Sequence, residues 1–334
     1  MSLYIVIGGF YGDEGKGKIT SYLATTSSDG KLAVARAGVG TNAGHTVVHE
    51  GETYRLRSVP SGFMVSDSKM YIGAGVYINS QILLDEIEKT GLAGRLFIDH
   101  HTGVITKDHI EREKASKHLN EKIGSTCSGS GAAGVDRVLR KLKVAKDYEE
   151  LAPYLTDVSA ELNTLLDEGA TVIVEGSQAT FLSVYHGSYP FTTSKDVCAS
   201  ALLSDVGLGP SRVTEVVVVF KAFVTRVGEG HLKDELSFEE AKNRGWDEYG
   251  TVTGRPRRAA PFDFDLAKKA CQLNGATQIA LTKMDIVFPE MTGATNVDQI
   301  TPEAREFLQQ VEQRTGVQVK YLSTGPSSGE VIEL

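Results

Sequence analysis

The chain has 334 residues, 41% hydrophobic and 23% charged, which excludes a disordered or fibrous polymer and leaves a globular protein long enough to bury a sizeable core. Thirty-five Lys and Arg against 43 Asp and Glu give a net charge of −8, which excludes a general nucleic-acid binder, because neutralising phosphates takes a basic surface. Three scattered cysteines, Cys127, Cys198 and Cys271, are too few for a disulfide framework or a zinc site.

In chain order, Leu3–Ile7 reads as a buried strand, followed by a glycine-rich turn and a helix over 17–23. No basic region precedes that strand, no cleavage-type segment follows it, and no stretch approaches the roughly 20 apolar residues of a membrane span. A reducing, cytoplasmic setting without membrane contact is expected. Leu32–Arg36, Met70–Ile72 and Arg95–Ile98 read as short strands. Between the last two, Asn79 or Ser80 can cap a helix carrying Ile82, Leu83 and Ile87, stopped at Gly91. Segment 108–127 is charged and of open assignment. Asp157–Leu166 reads as a helix, Thr171–Glu175 as a strand, and Glu215–Phe223 as a strand buried on both faces. Segment 227–250 is polar and unassigned. Phe264–Leu273 is a helix closed by Asn274-Gly275 and leads into strand Gln278–Thr282. Pro302–Arg314 is a helix stopped by Gly316 and followed by strand Gln318–Leu322. This alternation predicts an α/β fold: one domain over 1–334 with a large, mostly parallel central sheet flanked by helices, of the kind seen in P-loop NTPases.

The 35 glycines, about a tenth of the chain against a usual ~7%, gather in loops. Gly8-Gly9-Phe10-Tyr11-Gly12-Asp13-Glu14-Gly15-Lys16-Gly17-Lys18 follows a strand and opens a helix, where backbone N–H groups can cradle phosphates. It departs from the standard phosphate loop: from Gly9, five residues precede Gly15-Lys16, and Gly17 replaces the metal-binding hydroxyl, which leaves Asp13 as the candidate oxygen for a cation. A second run, Gly38 to Thr46, again follows a strand; taken alone, its His45 could equally be a hydrogen-bonded turn histidine. A third, Ser128 to Gly134, precedes a helix bearing Arg137, Arg140 and Lys141, but no strand leads into it, so a dinucleotide fold is not expected. Gly250 to Arg258 sets hydroxyls and three guanidinium groups in a loop, either for carboxylate or phosphate recognition or as a solvated basic turn. In Thr282-Lys283-Met284-Asp285, at a strand's carboxyl end, a carboxylate can accept from guanine N1–H and N2–H, which beside a phosphate loop points to GTP.

Jointly these stretches resemble the adenylosuccinate synthetase family, in its compact, archaeal-type form. The resemblance runs from Gly8 to Pro326 through GDEGKGK (12–18), GTNAGHT (40–46), VEGSQ (174–178), HGSYPFTTS (186–194), TRVGEG (225–230), TGRPRR (253–258), TKMD (282–285) and STGP (323–326). It implies a ligase that joins IMP to L-aspartate while GTP is cleaved, through 6-phosphoryl-IMP. By resemblance, Asp13 is the base for N1–H of IMP and His45 the acid, with Lys16 and Gln178 assisting. One Mg²⁺ per subunit would be held by Asp13 and the Gly44 carbonyl. The GTP phosphates would lie along Gly12, Asp13, Glu14, Gly15, Lys16, Gly17 and Lys18, against Gly44, His45 and Thr46, with Arg257 close by. Guanine would meet Lys283, Met284 and Asp285 on one side and Ser323, Thr324 and Gly325 on the other. IMP would contact Asp13, Glu14, Gly15 and Lys16, the run Asn42, Ala43, Gly44 and His45, and Thr126, Gln178, Thr193 and Arg255. Arg140 would reach IMP in a neighbouring subunit, which implies a homodimer. Aspartate would bind Thr251, Val252, Thr253 and Gly254 with Arg255, Pro256 and Arg257.

The chemistry accounts for these residue types. Removing the N1 proton pushes charge onto O6, which takes the γ-phosphoryl of GTP; that transfer is mostly positioning and charge neutralisation. The amino group of aspartate then displaces phosphate. The sequence departs from the family pattern at His231-Leu232-Lys233-Asp234, Ala259-Ala260-Pro261, Val252 and Cys127, which bears on loop closure and aspartate binding. Two alternatives stand beside this reading: a phage-type relative that joins aspartate to dGMP and tends to lack the first-loop aspartate, and a regulatory GTP-binding module without ligase activity. The presence of Asp13 and His45 favours IMP ligation over both.

Overall fold

In the computed structural model, which describes residues 2–27, 30–250 and 254–334, the apolar runs assemble into one ten-stranded sheet among the described residues. From edge to edge its strands are Val331–Glu333, Val319–Ser323, Gln278–Thr282, Glu215–Lys221, Ser2–Gly8, Thr171–Ala179, Leu32–Ala37, Lys69–Ile72, Leu96–Asp99 and Leu155–Thr156. Neighbours pair in parallel except at the first edge, where Val331–Glu333 runs antiparallel. At the centre Ile5 lies in register with Val174 on one side and Val216 on the other.

Successive side chains of a strand face opposite ways, so each central strand supplies two cores. Leu3, Ile5 and Ile7 join Val172, Val174, Val216 and Val218 on one face. There they meet helices Val158–Asp167, Ala199–Val206, Phe264–Asn274 and Pro302–Thr315. Val6, Ile173, Val217 and Val219 point the other way, onto helices Lys16–Thr26 and Ser80–Thr90. This two-sided burial is why the strands read as continuous apolar runs.

The helix signals act as expected. The Asn79 side chain accepts from the Ile82 N–H, and Gly91 closes that helix in the left-handed region. Several elements differ from the sequence reading. The strand begun at Thr171 continues to Ala179, while the one begun at Glu215 stops at Lys221, and Val224–Arg226 turns away to pair with Arg258–Ala260. The helix after the third glycine run is Ser130–Val138; Arg140 lies beyond it with φ 57°, and Lys141 also follows the helix end. Among the elements that went unread are hairpin His45–His49 with Glu52–Leu56, helix Ala199–Val206, helix Phe238–Asn243 and the short edge strands Leu155–Thr156 and Val331–Glu333. The charged segment 108–127 lies largely in helix Lys107–Ala115 and a π-helical turn His118–Ile123.

Candidate active site

Because the strands run parallel, the loops after Gly8, Ala37, Lys221, Thr282 and Ser323 leave the sheet on one edge, the side on which open α/β sheets bind ligands. A cavity of about 700 Å³ opens there. Its wall includes Gly12, Asp13, Gly15, Lys16, Gly17 and Lys18 from the first loop and Asn42, Ala43, Gly44, His45 and Thr46 from the second. Thr126, Gln178, Thr193, Arg255 and Arg257 lie on it, as do Lys283, Asp285, Ser323 and Gly325.

The first loop is organised by Glu14. Its buried carboxylate accepts from the N–H of Phe10 (3.1 Å) and Gly12 (2.7 Å) and from Lys16 Nζ (3.0 Å), and it stands off the cavity wall. Thr282 Oγ donates to the Glu14 carbonyl at 2.7 Å and ties the loop to the neighbouring strand. Gly15, at φ 83°, then turns the chain into the helix whose N–H groups open onto the cavity. Gly17, where a phosphate loop would carry a hydroxyl, packs so closely that a Cβ would stand 3.0 Å from Ser61 Oγ and 3.1 Å from His45 Cβ. Lys18 ties the loop to the segment after Ser323: its Nζ donates to the carbonyls of Gly325 and Glu330. Burial holds its pKa down at about 8, against the upward pull of Glu330 and Asp285.

His45 starts its hairpin with the ring backed into the protein. Nδ1 is 2.5 Å from Glu175 Oε1 and 2.7 Å from Arg36 Nη1; Nε2 is 3.2 Å from the Ser177 carbonyl. Burial, reinforced by the Arg36 charge, depresses the His45 pKa to about 4 against the opposing pull of Glu175. Burial alone would raise Glu175, but Arg36 and His45 bring it down to about 2. Arg36 and Glu175 are both fully enclosed, 3.0 Å apart.

Asp13 sits opposite a row of cations. Its φ of 64° turns the carboxylate toward Arg257 Nη2 (3.4 Å) and Lys221 Nζ (3.6 Å). Burial would raise its pKa, but Lys221 and Arg257 bring it below the ordinary carboxylate value. Buried Lys221 also donates to Thr225 Oγ (2.6 Å) and to Glu248, and Glu248 in turn pairs with Lys283 at 3.4 Å. Neither Lys221 nor Glu248 stood out in the sequence. The available signal was a lysine closing an otherwise apolar run, Val216 to Phe220.

On the opposite wall Gln178 links two loops: its Oε1 accepts from Val39 N–H at 2.8 Å and its Nε2 donates to Asn42 Oδ1 at 2.6 Å. Asn42 lies 3.5 Å from Thr193 Oγ. Arg255 donates to the Gly124 carbonyl at 2.8 Å, next to Thr126. Met284 and Thr324 are fully buried and off the cavity wall; Met284 packs in the core and Thr324 Oγ donates to the Ala294 carbonyl. Gly254 and Pro256 flank the wall without lining it, and Thr251, Val252 and Thr253 lie outside the described residues. Arg140 is exposed and away from this cavity, its guanidinium donating to the Val138 carbonyl at 2.7 Å.

A phosphate-cradling helix start, a buried histidine–carboxylate pair and a facing Asp13 on one sheet edge define a nucleotide-dependent α/β enzyme. The model of the family Adenylosuccinate synthetase matches residues 5–147 and 135–290. Curated relatives with that name include those of Methanococcus aeolicus (49% identical, all of both chains), Methanocaldococcus jannaschii (50%, 99% of this chain and 96% of that one) and Archaeoglobus fulgidus (48%, 100% and 98%). The chain belongs to the adenylosuccinate synthetase family. Among solved structures, the fully ligated adenylosuccinate synthetase of Plasmodium falciparum superposes with a TM-score of 0.91 over all of both chains at 22% identity, a likeness of fold. The succinoaminodeoxyadenylate synthetase of cyanophage S-2L, bound to dGMP and dATP, gives 0.84 at 25% identity over 99% of this chain and 95% of that one.

Proposed function

We propose that this chain joins IMP and L-aspartate to form adenylosuccinate, with GTP cleaved to GDP and phosphate, in a single catalytic domain over 1–334. The observation that carries this reading is the presence of Asp13 and His45 on one cavity with the first helix start between the loops that hold them. An Asp13 kept ionised by Lys221 and Arg257 is ready to accept the N1 proton of IMP. O6 then becomes the nucleophile toward the γ-phosphoryl group. Lys16 neutralises charge at the phosphates and His45 hydrogen-bonds or protonates the oxygen on which charge develops. Arg255 and Arg257 would clamp the aspartate carboxylates, with Gln178 and Asn42 orienting the purine.

A divalent cation fits the donor set. The Asp13 carboxylate and Gly44 carbonyl would be its hard oxygen ligands, both residues lining the cavity, and the cation partners of Asp13 stand at 3.4 and 3.6 Å, beyond tight hydrogen-bond distance. Mg²⁺ there would supply charge neutralisation for the transferred phosphoryl group.

A homodimer with Arg140 shared between subunits is supported by its surroundings: Val135, Val138 and Leu139 expose 52%, 70% and 54% of their surface on the same helix end. Free cysteines at 127, 198 and 271 suit a cytoplasmic enzyme. The test offers IMP and dGMP side by side with aspartate, each with GTP and with ATP. Adenylosuccinate from IMP and GTP is expected; turnover of dGMP alone would favour the phage-type reaction, and GTP hydrolysis independent of IMP and aspartate would favour a GTP-binding module.

A further inference from the structure

The segment from Ser183 to Cys198 carries Tyr189 to Ser194 onto the cavity wall and is pinned at its neck. Val184 N–H donates to the Lys195 carbonyl at 3.2 Å, and Thr193 N–H to the Leu182 carbonyl at 2.8 Å. Ser183 Oγ donates to Asp196 Oδ1 at 2.7 Å and accepts from the N–H groups of Tyr185 and His186, each at 3.2 Å. The Cys198 N–H donates to the same Asp196 oxygen at 3.2 Å. These bonds bring His186, near one end of the segment, onto Asp196 and Cys198 at the other. The imidazole nitrogen, carboxylate oxygen and thiol sulfur all lie within 4.8 Å of one another. Among the described residues, no other three histidines, cysteines or carboxylates are so placed.

No protein cation meets the charge of this cluster. Among the described residues Asp196 makes no ion pair, and the neighbouring Lys195 is turned away, its Nζ bound to Asp205 and to the Gly75 carbonyl. Around a tetrahedral zinc, bonds of about 2.0–2.3 Å set the donors roughly 3.3–3.8 Å apart. Cys198 is buried and Asp196 is fixed through Oδ1, whereas His186 is exposed and closes the remaining distance by turning about its own side-chain bonds.

We propose that His186, Asp196 and Cys198 form a zinc site that clasps the two ends of the segment facing the cavity. None of the three lines the cavity, so the site is separate from the one at Asp13 and does not depend on the ligase reading. The donors select the metal: a thiolate and an imidazole favour zinc over Mg²⁺, which prefers oxygen ligands. On binding, the Cys198 sulfur gives its thiol proton to solvent and bonds the metal as thiolate. That thiolate stands at the start of helix Ala199–Val206, where the helix dipole favours negative charge. A mixed set needs only one of the three cysteines, so counting cysteines did not reveal it.

The test titrates the full chain with cobalt(II), an optical stand-in for zinc, in excess Mg²⁺ to occupy oxygen-only sites. One equivalent should produce a thiolate-to-cobalt charge-transfer band, which zinc(II) should then displace. The band should vanish in folded C198S and persist in C127S. H186Q should bind cobalt at least about tenfold more weakly, since even a group behind a metal ligand is worth that much. Zinc(II) should raise the thermal midpoint of wild type and raise that of H186Q less at the same concentration. Absence of the band in wild type would overturn the proposal, as would a band that survives in C198S. Because His186 is exposed, its replacement leaves the core intact, and an H186Q protein that binds cobalt as tightly as wild type would overturn it too.

Discussion

Asp13 and Glu175 are both carboxylates held below their ordinary pKa, but they should respond differently to change. Asp13 is about a third exposed and supports no core contact, so Asp13→Ala should leave the circular dichroism spectrum and thermal midpoint near wild type. Synthesis should fall at least about 10²-fold, the usual scale for a lost general base, as measured by adenylosuccinate formation. Glu175 is structural. Its pKa falls from 4.5 to about 2 in the folded protein, so its stabilisation is complete above pH 4.5 and is lost as pH falls toward 2. Across that window the loss should reach up to about 3 kcal/mol, read from urea unfolding at stepped pH, and E175Q should lack this part of the slope. Residue types announced part of this site: Asp13, Lys16 and His45 stand in glycine-rich loops where their chemistry is conspicuous. Lys221, Glu248 and Glu175 were not legible, because a charge inside an apolar strand or a polar loop says nothing of its partner until the sheet brings the two together.

At the scale of elements, strands and capped helices were readable wherever burial was two-sided or a cap was present. Asn79 is such a cap, remote in sequence from the glycine loops, and Asn79→Ala should cost about 1 kcal/mol in chemical denaturation while leaving turnover unchanged. Gly15 differs because its left-handed φ of 83° turns the first strand's loop into a helix, and a Cβ there would stand 3.1 Å from Thr282. Gly15→Ala should cost about 1–2 kcal/mol and weaken GTP binding together, seen by thermal shift and by nucleotide titration. The hairpin from His45 to Leu56 escaped the sequence reading because its strands are short and carry exposed polar residues such as Thr46, Glu52 and Arg55, so no apolar alternation marks them. The helix after Gly129 was read as reaching Lys141, but the chain leaves it at Leu139, and this break sets Arg140 in its own left-handed turn.

For the whole molecule, the acidic net charge of −8 is compatible with an anion-binding site because Lys16, Lys18, Arg226, Arg255, Arg257 and Lys283 all line the one cavity. The exposed apolar residues beside Arg140 make assembly testable. Val138→Asp should shift the protein toward monomer in sedimentation velocity and lower activity with it. In the proposed homodimer, Asp13→Ala and Arg140→Ala subunits, each inactive alone, should recover about a quarter of wild-type activity on mixing, since half the dimers would be mixed and one of their two sites would be intact.

Lys18 joins the first loop's helix start to the carbonyls of Gly325 and Glu330, and so ties the segment after Ser323 to the phosphate loop. With GTP placed as proposed, its phosphates along Gly12 to Lys18 and guanine beside Ser323 to Gly325, the two ends of the nucleotide would be gauged against one another, not read at two separate stations. Choice of purine and alignment of the γ-phosphoryl group would become a single measurement of length. Lys18→Met should relax both at once, with the preference for GTP over ATP and the turnover of GTP falling in proportion across a series of purine triphosphates.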